Sequence, residues 1–316
     1  MTSKNLAFVF PGQGSQKIGM LADMAAAYPL VRETFAEAGE VLGYDLWDLV
    51  QTGTEQDISL TERTQPLLLS ASVALWRVWQ QRGGPAPRLL AGHSLGEWSA
   101  LVCAGVVGFV DAVRLVQQRG KFMQAAVAPG VGAMAAIIGL NDDAIEAVCS
   151  EAAGSDVVAA VNFNSPGQVV IAGNKAAVDR AIALCKEAGA KRAMPLPVSA
   201  PFHTELMRPA AEQLAQQIAQ TVFTAPAIPV VHNVHARTEA DAESIKKLMI
   251  EQIYSPVRWV DCVNALAAAG IETAVECGPG KVLAGLNKRI QRAIVTGAVD
   301  TPAELDKTLE VLSTAG

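Results

Sequence analysis

Three side chains in this sequence have the chemistry for transferring a group through a covalent intermediate: Ser94, His203 and Arg119. Ser94 lies in Gly92-His93-Ser94-Leu95-Gly96, a Gly-x-Ser-x-Gly pattern, after a short apolar stretch over 87–91 and before a helical pattern that starts at Leu95. A strand that turns directly into a helix needs small residues beside the turn, because the backbone there is strained and crowded. The serine then projects at a helix N-terminus, where free N–H groups and the helix dipole favour negative charge. An oxyanion is well placed there. The competing reading is an ordinary glycine-containing β–α turn.

A serine nucleophile needs a base, and His203 in Val198-Ser199-Ala200-Pro201-Phe202-His203-Thr204 fits the serine-then-histidine order of such folds. It stands at a loop edge before a helical pattern over 204–220; the bland alternative is a capping histidine. No Asp or Glu in the return segment is marked out as a third member, so a hydrolase triad is incomplete. On the amphipathic pattern over 110–126, Arg114 and Arg119 are five residues apart, about 140° round a helix, and need not share a face. A solvated arginine is the competing reading for each.

Other patterns exclude chemistries. Pro11-Gly12-Gln13-Gly14 follows a buried strand pattern over 5–10, but Lys17 stands where a dinucleotide fingerprint needs its third glycine. Gly278-Pro279-Gly280-Lys281 is too short for a phosphate-binding loop. The five cysteines are scattered without C-x-x-C, and His232 and His235, three apart on a strand, would face opposite sides, so no metal is expected. A net charge of −6 argues against nucleic-acid binding. No apolar run reaches membrane-span length and no signal-peptide core opens the chain, so a cytoplasmic protein without membrane attachment is expected.

The elements that must position these residues read as α/β. Helical patterns at 21–42 and 63–82 flank a polar loop at 51–62. From Gly130 the texture changes to strand 133–139, helix 142–153, strands 157–163 and 168–173, helix 175–188 and strand 191–198. This β-α-β-β-α-β order is the ferredoxin-like split unit. A strand at 228–231, helices at 241–253 and 258–269, a strand at 272–276, a helix to 291, a strand at 293–295 and a helix at 302–313 follow. Strands alternating with helices mean a parallel sheet covered on both faces. The expectation is a large α/β-hydrolase-like domain with a parallel sheet (1–128 and 199–316), with an inserted small ferredoxin-like subdomain (129–198).

Six segments occur together in a fixed order: Phe10-Pro11-Gly12-Gln13-Gly14-Ser15-Gln16, Gly92-His93-Ser94-Leu95-Gly96-Glu97, Gln118-Arg119-Gly120, Asn162-Phe163-Asn164-Ser165-Pro166-Gly167-Gln168, Ala200-Pro201-Phe202-His203 and Glu276-Cys277-Gly278-Pro279-Gly280. In this the chain resembles the malonyl-CoA:acyl carrier protein transacylases of bacterial fatty-acid synthesis, from about residue 5 to the C-terminal helix. The resemblance implies a malonyl-serine intermediate on Ser94, with His203 as base. It also implies an oxyanion hole from the N–H groups of Gln13 and Leu95, and Arg119 on the malonyl carboxylate. By the same likeness the main-chain carbonyl of Gln252, not an acid, orients His203. Asn162 matches a residue near the cleft, and Phe202 matches a malonyl-selecting position. No cofactor is implied beyond the substrate malonyl-CoA. The other partner would be an acidic acyl carrier protein, met by a monomer. Two basic clusters could receive it: Lys186, Lys191 and Arg192, and Lys288, Arg289 and Arg292. A thioesterase-type hydrolase, a non-catalytic carrier-binding subunit, and a malonate decarboxylase or polyketide-pathway transferase remain as alternatives.

Overall fold

In the computed structural model, which describes residues 5–198 and 200–314, the hub is β1 (Leu6–Phe10), buried along its whole length. It pairs in parallel with β2 (Leu89–Gly92) on one side and with β8 (Thr273–Glu276) on the other. β7 (Val230–Val231) extends the first side and β9 (Val295–Ala298) the second, giving a parallel sheet ordered β7-β2-β1-β8-β9. Side chains alternate across a strand, so β1 feeds two cores. Leu6, Phe8 and Phe10 face the helices Leu30–Leu42, Thr61–Gln81 and Phe109–Ala125, with Phe8 edge-on to Trp76 and Trp79. Ala7 and Val9 face the helices Trp259–Ala268 and Val282–Ile290. A strand covered on both faces reads as an unbroken apolar run, which is what Leu6-Ala7-Phe8-Val9-Phe10 is.

The second sheet is antiparallel and ordered β4-β5-β3-β6, from β3 (Gly132–Ile138), β4 (Val158–Ser165), β5 (Gln168–Asn174) and β6 (Arg192–Pro195). With the helices Asp142–Ala153 and Lys175–Glu187 packed on one face, this is the ferredoxin-like arrangement. Its other face turns Met134, Val161, Val170 and Ala172 into the core of the large sheet. Phe163 N–H donates to Val257 O (3.0 Å), tying β4 to the chain beyond it. The boundary expected at 198/199 falls on Ser199, outside the described residues.

Several elements differ from expectation, each for a local reason. The polar stretch 51–62 is helical over Glu55–Ser59, started by a capping box in which Thr54 and Asp57 satisfy each other's backbone N–H groups. The pattern over 21–42 is two helices, Ala22–Ala27 and Leu30–Leu42, broken at Tyr28-Pro29. The stretch after His203 opens as a 3-10 turn, Glu205–Met207, and becomes α-helical only at Arg208, with Pro209 in its first turn. β6 stops at Pro195, where Pro195 and Pro197 deny the ladder its N–H donors.

Candidate active site

β1 and β2 end side by side, Phe10 opposite Gly92, and the crowding there dictates the glycines. A Cβ on Gly96 would sit 2.0 Å from Phe10 O, one on Gly92 1.9 Å from Gly96 C, and one on Gly12 2.5 Å from His93 O. The loop after β1 is thereby pressed against the turn that carries Ser94. Ser94 itself is held at φ 51° and ψ −104°. A non-glycine residue there carries strain of about 1–3 kcal/mol and persists only where its surroundings fix it. They do: Ser94 N–H donates to Asn233 Oδ1 (2.8 Å), and Gln252 Nε2 donates to Ser94 O (2.9 Å).

Ser94 Oγ lies 2.8 Å from His203 Nε2, and His203 Nδ1 lies 2.8 Å from the main-chain oxygen of Gln252. A carbonyl only accepts, so Nδ1 carries the ring proton and Nε2 offers its lone pair to the serine hydroxyl. His203 is 4% exposed, and its pKa is pushed down to about 3, first by burial and next by the positive charge of Arg119. The imidazole is therefore neutral at physiological pH, the form a base needs.

Arg119 is 2% exposed and faces the same cavity. Its Nη1 donates to Gln65 Oε1 (2.9 Å), and its Nη2 to Gln252 Oε1 (2.9 Å) and Ser94 Oγ (3.2 Å). Nε is buried without a partner, and no carboxylate forms an ion pair with this guanidinium among the described residues. Burial lowers its pKa to about 10, with the nearby Glu97 charge opposing the fall, so it stays a cation. A buried cation without a counter-ion is costly, and an anionic ligand would offset that cost. Arg114, by contrast, is exposed and pairs with Asp111.

The cavity, about 140 Å³, is lined by Gln13, Gln65, His93, Ser94, Leu95, Arg119, Asn162, Phe202 and His203, and walled by the apolar Met123, Met134, Leu196 and Val198. Leu95 is the first residue of the helix Leu95–Cys103, where an N–H has no intrahelical acceptor. Asn162, also bridged to Val257, keeps Oδ1 buried and unpartnered. His93 Nε2 meets Asn164 Oδ1 at 2.7 Å, and burial lowers its pKa. Lys191, Arg192, Lys288 and Arg289 are exposed and line no part of this cavity. Arg289 Nη1 donates to Gln168 Oε1 (2.7 Å), and Gln168 and Arg192 both pair with Ile138, so the two basic clusters meet at one end of the small sheet.

Beneath the serine lies a hydrogen-bonded layer whose side-chain contacts the sequence does not reveal. Glu97, fully buried, accepts from Gln252 Nε2 (2.7 Å) and from Asn233 N–H (3.1 Å) on Oε2, and Oε1 meets His232 Nδ1 at 2.7 Å. Asn233 Nδ2 closes the layer on Gly92 O (2.7 Å). Glu97 read as one more residue of the helix after the turn, and His232 and Asn233 carry no motif of their own. Only the fold brings residues so distant in sequence under the serine. Gln65, on the helix Thr61–Gln81, was hidden in the same way.

The chain matches the family model described as the acyl transferase domain over residues 7–299. It is 60% identical over 305 residues to the malonyl CoA-acyl carrier protein transacylase of Escherichia coli (strain K12), covering 96% of this chain and 99% of that one. Among solved structures, an acyl carrier protein S-malonyltransferase from Vibrio cholerae superposes with a TM-score of 0.95 at 60% identity, covering 96% and 99%. A malonyl-transacylase solved in complex with its type II PKS acyl-carrier protein superposes with a TM-score of 0.96 at 55% identity, covering 97% and 99%.

Proposed function

The chain belongs to the acyl transferase domain family, among its malonyl CoA-acyl carrier protein transacylases, and from that premise we propose how its residues carry a malonyl group from malonyl-CoA to the pantetheine thiol of an acyl carrier protein. Ser94 Oγ attacks the thioester carbonyl while His203 Nε2 takes its proton. The carbonyl oxygen, now an anion, is held by the N–H groups of Leu95 and Gln13. Collapse expels the CoA thiolate, which takes the proton from His203, and leaves malonyl-Ser94. The carrier thiol then gives its proton to His203 and attacks the ester; collapse releases malonyl-carrier, and Ser94 Oγ, the leaving group, takes the proton back from His203.

The observation that carries this reading is the buried guanidinium, without a carboxylate partner among the described residues, whose Nη2 lies 3.2 Å from the serine oxygen. A carboxylate-bearing acyl group satisfies it by two parallel N–H···O bonds, where an alkyl chain would leave a buried charge unmet. This disfavours a hydrolase of plain acyl esters. The orienter of His203 is a neutral carbonyl, which suits exchange between two thioesters of similar energy. Phe202 closes one wall against branching at the α-carbon. The product feeds fatty-acid chain elongation, and the basic end of the small sheet (Lys191, Arg192, Lys288, Arg289) receives the acidic carrier.

Intact-protein mass spectrometry after mixing with malonyl-CoA tests the reading. A malonyl adduct on Ser94, discharged by carrier protein and absent in Arg119→Ala, is the expected result. Release of CoA without an adduct would favour a hydrolase, and an acetyl adduct as abundant from acetyl-CoA would refute the role of Arg119. For docking, charge reversal at Lys191 and Arg289 should raise the carrier's KM and leave that of malonyl-CoA alone; an unchanged carrier KM sinks it.

A further inference from the structure

Glu97 touches neither Ser94 Oγ nor the cavity, yet two groups that hold Ser94 and Arg119, Asn233 and Gln252, both lead to it. We propose that Glu97 is a positioning residue that sets acyl selectivity by deciding which way the Gln252 side-chain amide faces. The inference rests on the reading of Arg119 as the partner of the acyl carboxylate.

The argument is one of donors and acceptors. Arg119 can only donate, so it needs an oxygen from Gln252, and it finds Oε1 at 2.9 Å. Glu97 Oε2, which already accepts the backbone N–H of Asn233, is an acceptor and so takes Nε2, at 2.7 Å. Flipping the amide would point NH₂ at a guanidinium and an oxygen at a carboxylate, two repulsions in a fully buried place. Ser94 O, the second acceptor of Nε2 at 2.9 Å, agrees with the same orientation. Glu97 Oε2 also takes the N–H of Asn233 (3.1 Å), whose side chain receives Ser94 N–H. One carboxylate thus aims both the guanidinium and the nucleophile's own backbone.

Two kinds of substitution separate this role from a merely structural one. Glu97→Gln keeps the hydrogen bonds: its oxygen serves Gln252 and Asn233, and its NH₂ meets His232 Nδ1 once the imidazole proton moves to Nε2. That nitrogen is buried without a partner in the native protein, so the exchange displaces no existing contact. Glu97→Asp keeps the charge but withdraws it by one methylene, and Glu97→Met removes the acceptor; both free the amide to turn.

The experiment is the ratio of kcat/KM for Ser94 acylation by malonyl-CoA over acetyl-CoA, read from adduct masses in native protein, E97Q, E97D, E97M and R119A. Thermal unfolding runs alongside, with ¹⁵N-histidine spectra of His232. A charged hydrogen bond to Arg119 is at stake, so the ratio should fall roughly 10- to 100-fold in E97D and E97M, mainly through the KM for malonyl-CoA. It should stay within about threefold of native in E97Q, with the His232 proton on Nε2. A native ratio in a folded E97D or E97M overturns the proposal, as does a fall in E97Q as deep as theirs. If neither of those two variants folds, E97Q still decides, since a collapsed ratio or an unmoved His232 proton refutes it and the reverse supports it. R119A isolates the underlying reading: a native ratio there means Arg119 does not select the acyl group.

Discussion

A histidine base with an ordinary pKa near 6.5 would make acylation fail in mild acid, and this site should not behave that way. Burial and the charge of Arg119 hold the His203 pKa down to about 3. At pH 5 a base of pKa 6.5 is neutral in only about 3% of molecules, whereas one of pKa about 3 is neutral in about 99%. kcat/KM reports the free enzyme, so acylation by malonyl-pantetheine, which lacks the titrating phosphate of CoA, should change less than about twofold between pH 7.5 and pH 5. An ordinary histidine would give a fall of roughly 30-fold. Single-turnover acylation in a rapid-quench instrument, with adducts counted by mass, makes the measurement. Arg119→Met removes the second cause of the shift, so its acid limb should move up toward pH 6.5 even as its rate drops. A native profile that falls tenfold or more with a midpoint near 6.5 would refute the assignment of burial and Arg119 as the forces that keep His203 neutral.

Asn233→Ala strips the acceptor from the part-buried Ser94 N–H and the donor from the buried Gly92 O at the strained turn. At about 1–3 kcal/mol for each orphaned group, denaturant unfolding should show a loss of roughly 2–6 kcal/mol, and a loss under about 0.5 kcal/mol contradicts the role. Glu276, buried at the end of β8 and accepting from Leu283 and Ala284 N–H, has its pKa raised to about 7 by burial. A carboxyl raised in the folded state favours folding below its ordinary pKa and loses that contribution as pH rises through about 7, here about 3 kcal/mol. Glu276→Gln should therefore gain stability relative to native protein between pH 5 and pH 8, and a pH-independent difference in unfolding midpoint rules this out. Phe202→Ala opens the cavity wall, so acylation by methylmalonyl-CoA should rise relative to malonyl-CoA by about 10- to 100-fold; an unchanged ratio means the ring is not the barrier.

Legibility in the sequence followed the range of the forces involved. The strand-turn-helix around Ser94 was readable because backbone crowding is local: glycines at 12, 92 and 96 are required wherever a Cβ would meet a neighbouring carbonyl oxygen or backbone carbon within about three residues or across one strand pair. The split β-α-β-β-α-β order was readable because its strands and helices carry periods of two and of 3.6. What failed locally was segment punctuation: the capping box at Thr54 lies in a stretch too polar to show a buried face, though Ile58 is buried. What failed globally was the layer beneath the serine. Gln65, Glu97, His232 and Asn233 are polar residues spread over two helices and the loop after β7, and a hydrogen bond between positions 97 and 232 leaves no trace in composition or spacing. The contacts of Arg119 with Gln65 and Gln252 are of the same kind: the residue could be singled out only by resemblance, because its face of the helix depends on what packs there.

The geometry also accounts for why this site has no carboxylate as the third member of its serine-histidine pair. The oxygen that orients His203 belongs to residue 252, whose side-chain oxygen is 2.9 Å from Arg119 Nη2. An added carboxylate among these groups would offset the positive charge proposed to receive the acyl carboxylate. Selecting an anionic acyl group and strengthening the base with an anion are therefore competing demands on the same few ångströms. In the reading proposed here Arg119 meets the first, and the buried carboxylate of Glu97 lies behind the Gln252 amide. There it meets the site through an oriented amide, Nε2 toward Glu97 and Oε1 toward Arg119, and the guanidinium keeps no ion-pair partner among the described residues. His203 is left with a main-chain carbonyl, a weaker partner that fixes its tautomer without adding a charge. A base so held suffices for thioester exchange, where the leaving group is a thiolate and the attacking thiol is already acidic.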